Sequence, residues 1–223
     1  MTTKSQPRLV VLLSGSGSNL QAFIDATKNG TLNADITAVI SNKPCVMGLD
    51  RAQNAGITNE VIDHREFADR ETFDQTLAEQ IESYKPDLVI LAGFMRILTP
   101  KFVDRFAGRI MNIHPSLLPK YPGLHTHQRA IDAGDSNAGA TVHFVTSQLD
   151  GGPAIVQAEV PILTGDDPDK LASRVLVQEH QIYPLAAQWF CEGRLSLNNG
   201  RPQLDGKALP DSGFAFSDII TKP

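Results

Sequence analysis

The chain has 223 residues, 41% hydrophobic and 20% charged, with 17 glycines and 14 prolines, an ordinary globular composition that excludes a disordered, collagen-like or disulfide-scaffold protein. Twenty basic residues stand against 25 acidic ones for a net charge of −5, which argues against an electrostatic nucleic-acid binder, and no apolar run approaches the ~18 residues of a membrane span. Cys45 and Cys191 lie far apart and form no CxxC, the usage of a reducing, cytoplasmic compartment.

The polar start, residues 1–7, reads as a flexible leader without a signal-peptide core. Leu9 to Leu13 is a continuous apolar run ending at Ser14-Gly15, the pattern of a strand buried on both faces. A helix is predicted over 19–28, with Leu20, Phe23 and Ile24 on one face. Strands follow at 36–40 and 57–62, separated by a helix over 46–55 that stops at Gly56. Phe73, Leu77, Ile81 and Tyr84 recur at helical spacing before Pro86, and strands are predicted at 88–91 and 110–113. This alternation predicts an α/β, Rossmann-like, doubly wound and mostly parallel sheet. The C-terminal half changes character. Strands at 141–145 and 154–160 have no helix between them, so antiparallel strands are added there. A long helix is predicted over 169–190, with Leu171, Val175, Ile182 and Trp189 spaced for burial. The expected organisation is one domain over 8–190 and a hairpin with a tail over 191–223, turning at Asn199-Gly200.

In parallel sheets ligands bind beyond the carboxyl ends of the strands, which directs attention to Ser14–Asn19, Ala92–Leu98 and Asn112–Gly123. Ser14-Gly15-Ser16-Gly17-Ser18-Asn19 opens a helix, and its glycines let a backbone approach a phosphate. The dinucleotide fingerprint is incomplete, because Leu20 stands where a third glycine belongs, so a plain turn with a helix cap stays open. Asn112 and His114 are two apart on a strand and share a face. An amide donor beside an imidazole suits an acyl-transfer site, where one holds an oxyanion and the other moves a proton; a structural histidine is the alternative. Asp150 lies in a Leu-Asp-Gly-Gly-Pro turn, and a carboxylate there either serves a histidine or makes the turn. His125 and His127 would share one strand face, but no Cys or acidic residue at ligand spacing completes a metal site, and no metal is expected. His143 sits in an apolar strand, where packing or support of the site is expected. Glu179 either meets a substrate amine or is a solvated helical charge.

Together these segments resemble the 10-formyltetrahydrofolate-dependent formyltransferases. The resemblance rests on Ser-Gly-Ser-Gly-Ser-Asn-Leu-Gln-Ala at 14–22, Ala-Gly-Phe-Met-Arg-Ile-Leu at 92–98 and Asn-Ile-His-Pro-Ser-Leu-Leu-Pro-Lys-Tyr-Pro-Gly-Leu-His-Thr-His at 112–127. It continues in His-Phe-Val-Thr at 143–146, Leu-Asp-Gly-Gly-Pro at 149–153 and Gln-Glu-His at 178–180. It implies formyl transfer from 10-formyltetrahydrofolate to the amine of 5′-phosphoribosylglycinamide, in purine synthesis. It implies a catalytic trio of Asn112, His114 and Asp150, with Gly17, Ser18, Asn19 and Glu179 on the phosphoribosyl substrate. Arg70, Met95, Arg96, Ile97, Leu98, Asn112, Thr146 and Asp150 would hold the folate. The implied partners are these two small molecules, neither nucleic acid nor membrane, with monomer and homodimer both open. A tRNA-formylating relative, a hydrolase of the folate donor and a non-catalytic nucleotide-binding module are the rival readings.

Overall fold

Five consecutive apolar residues offer water no polar face, and Leu9 to Leu13 have no exposed surface in β1 (Arg8–Leu13). The structure is a computed structural model that describes residues 6–217. Of the leader expected at 1–7 only Gln6 and Pro7 fall within it, and the tail from 218 onward lies outside the described residues. Two compact units divide the chain between Met111 and Asn112.

In the first unit β1 is followed by α1 (Ser18–Lys28), β2 (Asp35–Ser41), α2 (Met47–Asn54), β3 (Asn59–Val61), α3 (Arg70–Ser83), β4 (Leu88–Leu91) and α4 (Pro100–Arg105). The strands lie in the order β4-β1-β2-β3, all parallel. The alternation of strand and helix is the one read from the sequence. Helix α1 buries Leu20, Phe23 and Ile24, and α3 buries Phe73, Leu77 and Ile81. Asp69 caps α3 by accepting the Thr72 N–H. Strand β3 is shorter than the expected 57–62. Gly56 is left-handed (φ 72°) and the Ile57 N–H turns back to the Ala52 carbonyl at 2.9 Å, so Ile57 closes α2 instead of joining the sheet. Helix α4 was not expected; two turns are too short for a clear period, though Thr99 and Pro100 mark its start.

The second unit takes up the chain inside β5 (Ile110–His114) and continues with α5 (Thr126–Asp132), β6 (Asn137–Phe144), β7 (Ala154–Pro161), α6 (Pro168–Cys191), β8 (Leu195–Asn198), β9 (Arg201–Leu204), β10 (Lys207–Ala208) and β11 (Phe214–Ala215). Strand β6 pairs antiparallel with β7, and β11 runs parallel to β7 on its other side. A separate three-stranded antiparallel sheet holds β8, β9 and β10, with Asn199 and Gly200 both left-handed at the first turn. Helix α6 starts at Asp167, which accepts the Lys170 N–H, and buries Leu171, Val175, Ile182 and Trp189 as the spacing predicted.

Two expectations are corrected here. Strand β6 begins at Asn137, not at Thr141, because Ala138-Gly139-Ala140 lacks the β-branched signal of a strand. His125 and His127 do not share a strand face: His125 is left-handed (φ 58°), and Thr126 and His127 open α5.

The turn from β7 into α6 is held by Asp166, which accepts the Leu163 N–H at 2.8 Å and two guanidinium bonds from Arg174 at 2.7 and 3.0 Å. The Arg174 guanidinium, then the Leu163 N–H, pull its carboxyl from 3.8 to about 2. A folded pKa below the unfolded one gives stability that is present above the unfolded value and lost as pH falls through the folded one. Asp166→Asn should therefore lower the thermal midpoint at pH 7, and the gap to the parent should close as melts are repeated from pH ~4 down to about 2.

Candidate active site

The end of β5 presents Asn112, half-buried, and His114, buried, with the alternation the strand period demands. His114 Nε2 lies 2.9 Å from the Tyr121 carbonyl oxygen. A carbonyl only accepts, so Nε2 carries a hydrogen and donates it. Nδ1 faces Asp150 Oδ2 at 3.5 Å, and the two side chains are 7% and 9% exposed. The Gly123 N–H donates to the same Oδ2 at 2.8 Å. Asp150 itself is left-handed (φ 48°), which aspartate tolerates better than most residues. Asp150 thus makes the turn with its backbone and meets the imidazole with its side chain. The Asn112 Nδ2 lies 3.2 Å from Nε2 of His143.

Two residues of β6 and one of β7 hold the segment after β5. An added Cβ on Gly139 would come within 2.6 Å of Leu117 Cδ2. Thr141 Oγ1 donates to the Ser116 carbonyl at 2.7 Å and accepts the Leu118 N–H at 3.1 Å. Gln157 Nε2 donates to the same hydroxyl at 2.9 Å and to the Leu118 carbonyl at 2.7 Å. Ser116 Oγ donates to the Lys120 carbonyl at 2.6 Å, and Tyr121 turns left-handed (φ 56°) to bring its own carbonyl to His114. Thr141 and Tyr121 were missed in the sequence because a buried hydroxyl and a backbone carbonyl leave no pattern there.

In the first unit Gly17 is left-handed (φ 70°), and a Cβ on it would lie 2.6 Å from the Gly48 Cα. The Gly48 N–H donates to the Gly15 carbonyl at 3.0 Å, and Arg51 donates to the Ser16 carbonyl at 2.9 Å and to Gln21 at 3.1 Å. Gly17 is thus the N-cap of α1, with Ser18 and Asn19 in its first turn. Ser14 Oγ donates to Asn42 and accepts the Met95 N–H at 2.8 Å, while the Ser14 N–H donates to the Gly93 carbonyl at 3.1 Å. The glycine loop and the 92–98 segment are therefore stitched together by one serine. Gly48, Arg51 and Ser14 were not singled out from the sequence; only Ser14, at the end of β1, carried a positional hint.

Of the residues implied for folate, Met95 and Ile97 are 61% and 55% exposed, and Leu98 is buried. The Arg96 guanidinium sits 4.8 Å over the Phe73 ring, and Arg70 is exposed at the start of α3. Buried Asp74 accepts the Thr99 N–H at 2.6 Å; burial pushes its carboxyl up, against the Thr99 bonds and the charges of Arg96 and Arg70. In the second unit Thr146 Oγ1 donates to the Gln148 carbonyl at 3.4 Å. Glu179 is 8% exposed on α6, so it is not a solvated helical charge.

Residues 7–187 match the family model described as formyl transferase. The chain is 53% identical over 210 residues to a phosphoribosylglycinamide formyltransferase of Escherichia coli, covering 94% of this chain and 99% of that one. A solved phosphoribosylglycinamide formyltransferase from Coxiella burnetii superposes with a TM-score of 0.92 at 50% identity, over 95% of this chain and 100% of the other. A formyltetrahydrofolate deformylase from Burkholderia mallei superposes with a TM-score of 0.82 at 29% identity, over 90% of this chain and 70% of the other.

Replacing Thr141 by Val leaves the Ser116 carbonyl and the Leu118 N–H without their hydroxyl partner, which should cost about 1–3 kcal/mol in urea unfolding. Thr141→Ser, which keeps the hydroxyl, should recover most of the loss.

Proposed function

The chain belongs to the formyl transferase family, and on that premise we propose that it transfers the formyl group of 10-formyltetrahydrofolate to the amine of 5′-phosphoribosylglycinamide, in purine synthesis. The observation that carries the reading is likeness to a phosphoribosylglycinamide formyltransferase over nearly its whole length. Residues 8–190 are taken as the formyltransferase domain, and 191–223 as an added hairpin and tail. Two small molecules are the partners in this reading, without nucleic acid or membrane. Acidic net charge supports the first exclusion; no described helix is long and apolar enough to cross a membrane. Two free cysteines support a cytoplasmic setting.

The amine attacks the formyl carbon directly. Its N–C bond forms, the bond from that carbon to folate N10 breaks, and the proton lost by the amine ends on N10. Asn112 and protonated His114 are assigned to the oxyanion of the tetrahedral intermediate. Asp150 faces Nδ1, so a proton gained there finds a carboxylate at once. No covalent enzyme intermediate is needed, because the substrate brings the nucleophile. Gly17, Ser18 and Asn19 are assigned to the phosphate or ribose, at the N-terminal end of α1, where backbone N–H groups favour an anion, and buried Glu179 to the amine. Exposed Met95 and Ile97 offer apolar surface suited to a flat pterin, buried Leu98 is assigned to the same group, and Arg70 and Arg96 offer cations suited to an acidic glutamate tail. Asn112, Thr146 and Asp150 complete the folate assignment.

Purified protein given both substrates should consume 10-formyltetrahydrofolate only when the amine is present. Folate consumption without the amine would turn the reading to a hydrolase, and no consumption at all to a non-catalytic module. His114→Ala should lower kcat by about 10²–10⁴-fold; near-normal turnover would remove His114 from the chemistry.

A further inference from the structure

We propose that His143 is a positioning residue that fixes which way the Asn112 carboxamide faces, spending one amide hydrogen on its own ring and leaving the second for the reacting oxygen. The inference rests on the reading of Asn112 as an oxyanion donor.

The register between β6 and β7 shifts between Val142 and His143, where β7 carries the extra residue, Ile155, so β6 keeps its alternation and His143 stays on the face of Gly139 and Thr141. The ring is 2% exposed. Its Nδ1 lies 2.9 Å from the Phe144 carbonyl oxygen. That oxygen can only accept, so Nδ1 bears the hydrogen. Burial, with some help from His114, lowers the affinity of the ring for a second proton, against the Phe144 bond and the Asp150 charge. The neutral ring then has a bare lone pair at Nε2, and its partner at 3.2 Å is the Asn112 side chain. An amide oxygen turned that way would set two acceptors against each other in a buried place. The carboxamide nitrogen must therefore face His143.

Gly152 completes the lock. A Cβ on it would lie 1.8 Å from the Phe144 carbonyl oxygen and 3.2 Å from His143 Nδ1. The turn that carries Asp150 thus also leaves room for the bond that sets the tautomer. Asp150 and His114 are the charged or titratable groups acting on this ring, and the Phe144 carbonyl is the hydrogen-bond partner at Nδ1.

The tautomer can be read on the unaltered protein, by ¹⁵N–¹H correlation of labelled histidine. The expected state is protonated Nδ1 and bare Nε2; a proton on Nε2 would overturn the proposal. Kinetics supply the second test. His143→Phe, checked for folding by circular dichroism, should lower kcat by about 10–100-fold, a large part of what one lost oxyanion donor costs, with each KM within about threefold. His143→Gln, which can offer an oxygen to Asn112, should recover most of that loss. In an Asn112→Ala background the His143→Phe change should cost almost nothing more. Additive losses, or a KM effect with kcat unchanged, would overturn the role of His143 alone. An Asn112→Ala variant with full kcat would instead overturn the role given to Asn112.

Discussion

Gly139, Thr141 and His143 alternate onto one face of β6, and each grips a different point of the chain between Asn112 and Leu118. The glycine admits Leu117, the threonine hydroxyl takes both a carbonyl and an N–H, and the histidine takes an amide. A strand repeats its side every two residues, so a regular strand supplies three anchors at fixed spacing without any loop having to find them. The turn from Ser116 to Gly123 inherits that placement and delivers the Tyr121 carbonyl to His114 and the Gly123 N–H to Asp150. The polar groups around His114 are thus organised from the rigid element outward, which keeps donors aimed before any substrate arrives.

Much of this was legible in the sequence, and the reasons are particular. Strand β1 and helices α1, α3 and α6 announce themselves through runs and periods of large apolar residues, because those residues have nowhere to go but inward. The pairing of Asn112 with His114 on one strand face follows from the period of two. The first half of β6 was hidden because small residues fit where Leu117 and β7 press close, and small residues carry no strand signal. The first turn of α5 was hidden because His125-Thr126-His127 alternates as a strand would, while the left-handed backbone at His125 starts a helix.

The contact between His114 and Asp150 was suggested by chemistry and by resemblance, and the sequence had no means of measuring it. It depends on the left-handed backbone conformations at Asp150, Tyr121 and Gly123. Such features are set by tertiary packing, which one-dimensional patterns do not encode. In the first unit the tie of Ser14 to the Met95 N–H has the same origin: a hydroxyl bonded to a backbone group far along the chain.

The left-handed backbone at Asp150 has a consequence for what drift can do at that position. The residue answers two demands at once, a short carboxylate for the imidazole and a side chain small and polar enough to tolerate positive φ. Glycine and asparagine satisfy the turn and give up the charge; glutamate keeps the charge and fits the backbone poorly. The two sets of acceptable residues overlap at aspartate. Chemistry and chain geometry are therefore confounded at one codon, and no path of single, individually tolerated changes separates them.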